Sequence, residues 1–229
     1  MTILASNIIN RVRTQLIDPA GSSARWTDAE LLQWLSDGCR SVVALAPGAT
    51  SQTSTLAMVA GSRQFIPTDG HMLLGVTRNT DVTGNTGGRA VRIVSREVLD
   101  TQNPLWHTDT ASATVVNYVF DPQEPKKFYV YPPNTGTGYI EVVYSQLTPE
   151  ITTTATAFQM QEVYQTALFD YVMFRAHQKD GAYSDGMDLA NSYFNAFYQF
   201  VTKGEEGQSG VNPNVLLSPD NSVARGKKQ

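Results

Sequence analysis

Apolar residues recur with a helical period at both ends of this chain and with a strand period between them, and that order limits the folds open to it. Residues 1–47 carry two amphipathic helix patterns, residues 158–203 carry two more, and the stretch from about Gln52 to Gln146 reads as short strands and turns. The expected fold class is α+β: an antiparallel helical bundle of four helices from residues 1–50 and 152–203, an inserted antiparallel β-sandwich-like domain over 51–151, and an extended C-terminal tail over 204–229.

The helix signals are local. Leu4, Ile8, Val12 and Leu16 fall four apart in the first helix, and Asp18, Pro19 and Gly21 stop it. In the second, Thr27 is placed to cap, Glu30 to close a capping box three residues later, and Trp26 to staple onto Leu31. Thr156 and Gln159 form a weaker box ahead of a third helix carrying Met160, Tyr164, Ala167, Tyr171 and Phe174. A short connection at Gly181 folds a fourth helix back as a hairpin. That fourth helix has more aromatic residues than one core face needs, so Tyr193, Phe197 and Tyr198 are assigned to subunit or interdomain packing.

In the middle, Thr114–Phe120, Lys127–Tyr131 and Tyr139–Gln146 read as a meander of three antiparallel strands. From Gly204 on, glycine, asparagine and acidic residues cannot build a core. Val215, Leu216 and Leu217 make one apolar plug before a basic end, as in a tail that orders on a partner.

Reactive chemistry finds little support. His71, His107 and His177 lie in different elements, none at a metal-ligand spacing, and Cys39 falls on the apolar stripe of the second helix as a buried thiol. The glycine loops at 84–88 and 136–138 join strands rather than leading into a helix, which is the geometry that binds phosphate. The expectation is no enzyme, no cofactor and no metal site. With 17 basic against 21 acidic residues the net charge of −4 is too mild for a nucleic-acid groove or an anionic membrane surface. No stretch reaches the ~18 apolar residues of a membrane span, and a single cysteine excludes an intrachain disulfide. The aromatic residues Trp106, Tyr118, Tyr129, Tyr131, Tyr139 and Tyr144 raise one alternative, a carbohydrate-binding β-module of a tail or cell-surface protein.

The run Arg25-Trp26-Thr27-Asp28-Ala29-Glu30-Leu31-Leu32-Gln33-Trp34-Leu35-Ser36-Asp37-Gly38, following a helix and a turn at Asp18-Pro19-Ala20-Gly21, resembles the opening of head-to-tail adaptor proteins of tailed bacteriophages, the connector or tail tubular protein A-like family. Ser36-Asp37-Gly38 stands where that family commonly has Asn-Asp-Ala. The resemblance is clearest over residues 3–47 and is supported by the order helix, helix, β-insert, helix, helix. It implies a structural virion protein of the neck or tail, assembled in the host cytoplasm: a ring of twelve copies joining the portal protein to the tail or nozzle protein. Genome DNA would pass through its lumen without specific binding. On that reading Val215, Leu216 and Leu217 would dock the portal, and a closed ring would need two different patches that meet around its axis.

Overall fold

The structure, a computed structural model, describes residues 2–21, 23–180 and 184–211. In chain order it runs β1 (Thr2–Leu4), α1 (Ala5–Leu16), α2 (Asp28–Leu45), β2 (Ser51–Ala57), β3 (Gly61–Phe65), β4 (Gly70–Thr80), β5 (Gly87–Ala90), β6 (Arg92–Ile93) and α3 (Arg96–Gln102). It continues through β7 (Asn117–Phe120), β8 (Lys127–Asn134), β9 (Tyr139–Gln146), β10 (Ala157–Gln159), α4 (Gln165–Lys179) and α5 (Ser184–Val211). Two units result, one from the chain up to Ala49 together with the chain from Thr148, the other from Thr50–Leu147.

The helical unit holds α1, α2, α4 and α5 around one core, in which Ile8, Leu31, Leu35, Val42, Leu168, Val172, Phe197 and Val201 are at most 1% exposed. The return segment joins this core through the backbone. β1 pairs antiparallel with β10, Ile3 opposite Phe158. The N–H groups of Ala5 and Ser6 donate to the carbonyls of Thr156 and Thr154, satisfying the first turn of α1, whose Leu4 cap offers no side-chain acceptor. The sequence expectation of a capping box at Thr156 and Gln159 is therefore corrected: Ala157–Gln159 is a strand, and α4 begins at Gln165. The β-pairing with β1 and the donors of α1 take the backbone that a helix would have used.

At the start of α2 the Thr27 hydroxyl accepts from the Glu30 N–H and the Glu30 carboxylate accepts from the Thr27 N–H, both at 3.2 Å. Trp26 is buried with its ring edge-on to Trp34. In the middle of the helix, Ser36 donates to Leu32 O and accepts from the N–H of Ile151, tying the returning chain to α2. Gly38 lets α4 approach closely, since a Cβ there would lie 3.0 Å from the Tyr171 ring.

Several sequence expectations need correction. Among the described residues there are five helices: α3, in the β unit, is additional to the four expected for the bundle. The tail expected to be extended from Gly204 instead continues α5 to Val211. Once a helix is nucleated by a packed face, each further residue adds a hydrogen bond at little cost, and Glu205, Glu206 and Gln208 are good helix formers.

The β unit consists of two four-stranded sheets, ordered β2-β9-β4-β5 and β3-β8-β7-β6. Leu73, Val76, Ile140 and Val142 of the first and Tyr118, Phe128 and Val130 of the second fill one shared cluster. On the opposite face of the second sheet, α3 and Trp106 pack against Val119, Tyr129 and Tyr131. The pairing is antiparallel except for β6 with β7, which is parallel.

The three-strand meander does not form, because β8 pairs with β7 while β9 pairs with β2 and β4 in the other sheet. Two features send the chain across. Pro132 and Pro133 at the end of β8 have no N–H to donate to a returning strand. Asn134, 1% exposed, then holds the turn: its Oδ1 accepts from the N–H groups of Gly136 and Gly138, and its Nδ2 donates to the carbonyls of Ser112 and Ala113. Gly138 is required there, since a Cβ would sit 2.2 Å from Ala113 O.

Replacing Thr27 and Glu30 together by alanine should lower the unfolding free energy of the helical unit by about 1–2 kcal/mol. An unchanged denaturation midpoint would show that the box does not stabilise the fold. Cys39 is fully buried, and its thiol is pushed up to about 12 by that burial, so it should resist a disulfide reagent at pH 8 until the protein is unfolded.

Candidate functional site: an aromatic groove and an exposed corner

The aromatic residues of α5 divide by exposure. Phe197 is 1% exposed and belongs to the core of its own unit, edge-on to Tyr171. Tyr193 is partly buried, stacked over His177 and edge-on to Phe169. Burial pushes the His177 imidazole below its ordinary pKa. Tyr198 and Phe194 lie roughly parallel to one another and stay 48% and 40% exposed.

These two rings form one wall of a groove of about 340 Å³. Phe197 of α5, Tyr171 and Phe174 of α4 and Ala44 and Leu45 of α2 supply the rest of its apolar surface, Ser41 adds a hydroxyl, and no charged side chain lines it. The groove follows from composition: three helices meet where α2 carries small side chains, so the large rings of α4 and α5 cannot fill the space between them.

The second feature is the corner after α1. Ile17 caps that helix in the left-handed conformation, φ 53°, and is 89% exposed. Glycine or asparagine normally takes this position, and a β-branched residue there costs about 1–2 kcal/mol of strain. A buried ion pair holds the corner in place. Arg13 donates from Nη1 to both the carboxylate and the carbonyl of Asp18, and from Nη2 to the carbonyl of Trp26 and the carboxylate of Asp28. Asp18 also accepts from the backbone N–H groups of Arg25 and Trp26. Burial alone would raise the Asp18 carboxyl, but those N–H groups and the Arg13 guanidinium outweigh it and hold its pKa below the ordinary 3.8. At the same end of the unit, Lys179 pairs with Glu30 and Arg25 with Asp180, joining the end of α4 to the start of α2.

In the β unit the arrangement nearest to reactive chemistry is Ser62 Oγ at 2.8 Å from His107 Nδ1, with His107 stacked on Trp106. Burial and the nearby Arg96 lower the His107 pKa. Among the described residues no carboxylate hydrogen-bonds the second ring nitrogen, so the pair lacks the third group that would orient the base. No group of acidic, histidine and cysteine side chains among the described residues could hold a metal ion, and no helix is long and apolar enough to cross a membrane. Of the aromatic residues that raised carbohydrate binding, Trp106, Tyr118 and Tyr144 are buried, and the Tyr131 hydroxyl is engaged by Asp109. They do not form an exposed platform.

The SU10 adaptor protein family matches residues 3–215, nearly the whole chain. The chain belongs to the SU10 adaptor family. That membership, in a family of phage head-to-tail adaptors, covers both helical segments and the β unit, far beyond the opening motif at residues 25–38. A comparison with curated proteins gives no match. Of the residues singled out from the sequence, Thr27 and Glu30 cap α2 beside the corner, Trp26 is buried behind it, and Val215, Leu216 and Leu217 lie outside the described residues. Ile17, Arg13 and Phe194 were not singled out. Arg13 sits among apolar residues of α1 five positions before Asp18, which is the only trace of the ion pair in the sequence.

Replacing Asp18 by asparagine should cost about 3 kcal/mol at neutral pH by leaving Arg13 buried and poorly paired. The Asp18 pKa is depressed by folding, so its stabilisation is complete above about pH 4 and disappears as pH falls through the lower folded value. The difference between wild type and D18N should therefore shrink as the pH falls below about 4 in denaturant melts. A difference independent of pH would refute the pair.

Proposed function

We propose that this SU10 adaptor is the subunit of a ring, of twelve copies, that joins the portal to the tail or nozzle and surrounds the path of DNA ejection. Family membership across residues 3–215 is the observation that carries this reading. Three further features support it. The helical unit exposes two dissimilar apolar features, the groove and the Ile17 corner, as a rotationally repeated contact requires. A net charge of −4 gives the subunit no overall positive field to grip phosphates passing through a lumen. The helix α5 continues past Val201 of the core to Val211, and the sequence that follows it, with Val215, Leu216 and Leu217, would serve as the portal-docking plug. In this role Tyr198, with Phe194 beside it, is the α5 aromatic available to a neighbour, while Phe197 and Tyr193 support the surface from within.

Cryo-electron microscopy of the purified protein mixed with portal assemblies from the same source tests the reading. A symmetric ring of this chain beneath the portal is expected; a compact monomer that ignores the portal would overturn it. Removal of residues 212–229 should leave the melting temperature within about 2 °C of wild type and abolish portal attachment, since that segment follows the last described turn of α5. Portal affinity unchanged in the truncated protein would rule out the tail as the docking element.

A further inference from the structure

We propose that Ile17 of one copy seats in the aromatic groove between α2, α4 and α5 of the next copy, and that this is the repeating contact of the assembly. The inference rests on the ring reading above and gives it a specific interface.

Ile17 serves no purpose within its own unit that another residue would not serve better. The turn it occupies is closed by backbone hydrogen bonds, Ile17 N–H to Thr14 O and Asp18 N–H to Arg13 O, so its side chain contributes nothing to the cap. Asparagine or glycine would adopt φ 53° with less strain. A strained residue persists only where its surroundings over-determine it, and the Arg13–Asp18 pair does so here. The outcome is a branched aliphatic side chain held rigidly in solvent, which loses little freedom when it docks.

The groove matches it in chemistry. Its walls are aromatic and aliphatic without a charged group, and about 340 Å³ is room for an isoleucine side chain and part of its neighbours. Around Ile17 the surface is formed by Asn10, Thr14, Pro19 and Ala20, while Arg13 and Asp18 neutralise each other. Neither patch would bring an unpaired charge out of water.

The contact cannot close within one copy. The corner leads into the start of α2, whereas Ala44 and Leu45 lie at its end, and the stretch from Asp28 to Ala44 spans about 24 Å of helix. Two different patches separated in this way form a head-to-tail contact that repeats from copy to copy.

The test uses the full chain with portal assemblies and two variants. I17N relieves the strain and removes the apolar side chain; its melting temperature as a monomer should stay level or rise by about 2–4 °C while the ring is lost. A44W fills the groove from an exposed position on α2 and should also abolish the ring. Mixing I17C with Y198C under mild oxidation should give a disulfide-linked pair containing one of each, with buried Cys39 silent. Rings from either I17N or A44W as abundant as wild type, or no mixed disulfide from wild-type-like rings, would overturn the contact and leave the ring reading standing. Failure of wild type itself to form a ring would overturn both.

Discussion

The helical unit depends on closing its core around chain segments far apart in sequence. Ser36 and Ile151, joined by a buried hydrogen bond, are 115 residues apart, and β1 finds its partner at Ala157–Gln159. Bringing such ends together from an unstructured loop costs entropy that grows only as the logarithm of loop length, so distance along the chain is not prohibitive. The β unit lowers the cost further through its own topology. The ends of its first and last strands, β2 and β9, are paired, Ser51 opposite Ser145, with the Thr50 and Ser145 hydroxyls hydrogen-bonded, so the insert folds with its two connections side by side. On the helical side Ala49 O accepts from Gln161 N–H, which ties the end of the first helical segment to the chain just after β10. Each unit is thereby prepared for the other to be covalently continuous with it.

What could be read in the sequence follows from how local each determinant is. The start of α2 is written in five consecutive residues, Trp26 to Glu30, and its geometry matches because no distant group competes for those donors. The α+β class and the order of helices around a β-rich middle come from periodicity, which is equally local. Strand partners are not local. The segments at 127–134 and 139–146 look like a hairpin in isolation, but Pro132 and Pro133 cannot donate to a returning strand, and the buried amide of Asn134, bonded to Ser112 and Ala113, holds the turn that leads into the other sheet. Likewise Ala157–Gln159 carries a plausible helix cap whose backbone is claimed by β1. In both places a pairing between distant segments overrides a local preference.

The candidate contact surface was half legible for the same reason. An aromatic surplus on α5 is visible in the sequence, but which rings remain exposed is decided by α2 and α4: Tyr171 covers Phe197, and the small residues of α2 leave Phe194 and Tyr198 uncovered. The corner was illegible. An isoleucine between Leu16 and Asp18 looks like the last apolar residue of a helix, and its left-handed backbone exists only because Arg13 reaches past the helix end to Asp18 and Trp26.

That arrangement places an electrostatic device in the service of an apolar one. A buried, hydrogen-bonded ion pair contributes little net stability, because desolvation offsets much of the attraction, but it admits few alternative geometries. Arg13 uses both Nη atoms on four acceptors from three residues, Asp18, Trp26 and Asp28, so neither helix can rotate or slide without breaking several bonds at once. A surface whose purpose is to be repeated identically in every copy needs that kind of definition more than it needs additional stability. An apolar patch on a mobile loop would bind many surfaces weakly, whereas Ile17 on a fixed corner can distinguish one groove from another by shape alone.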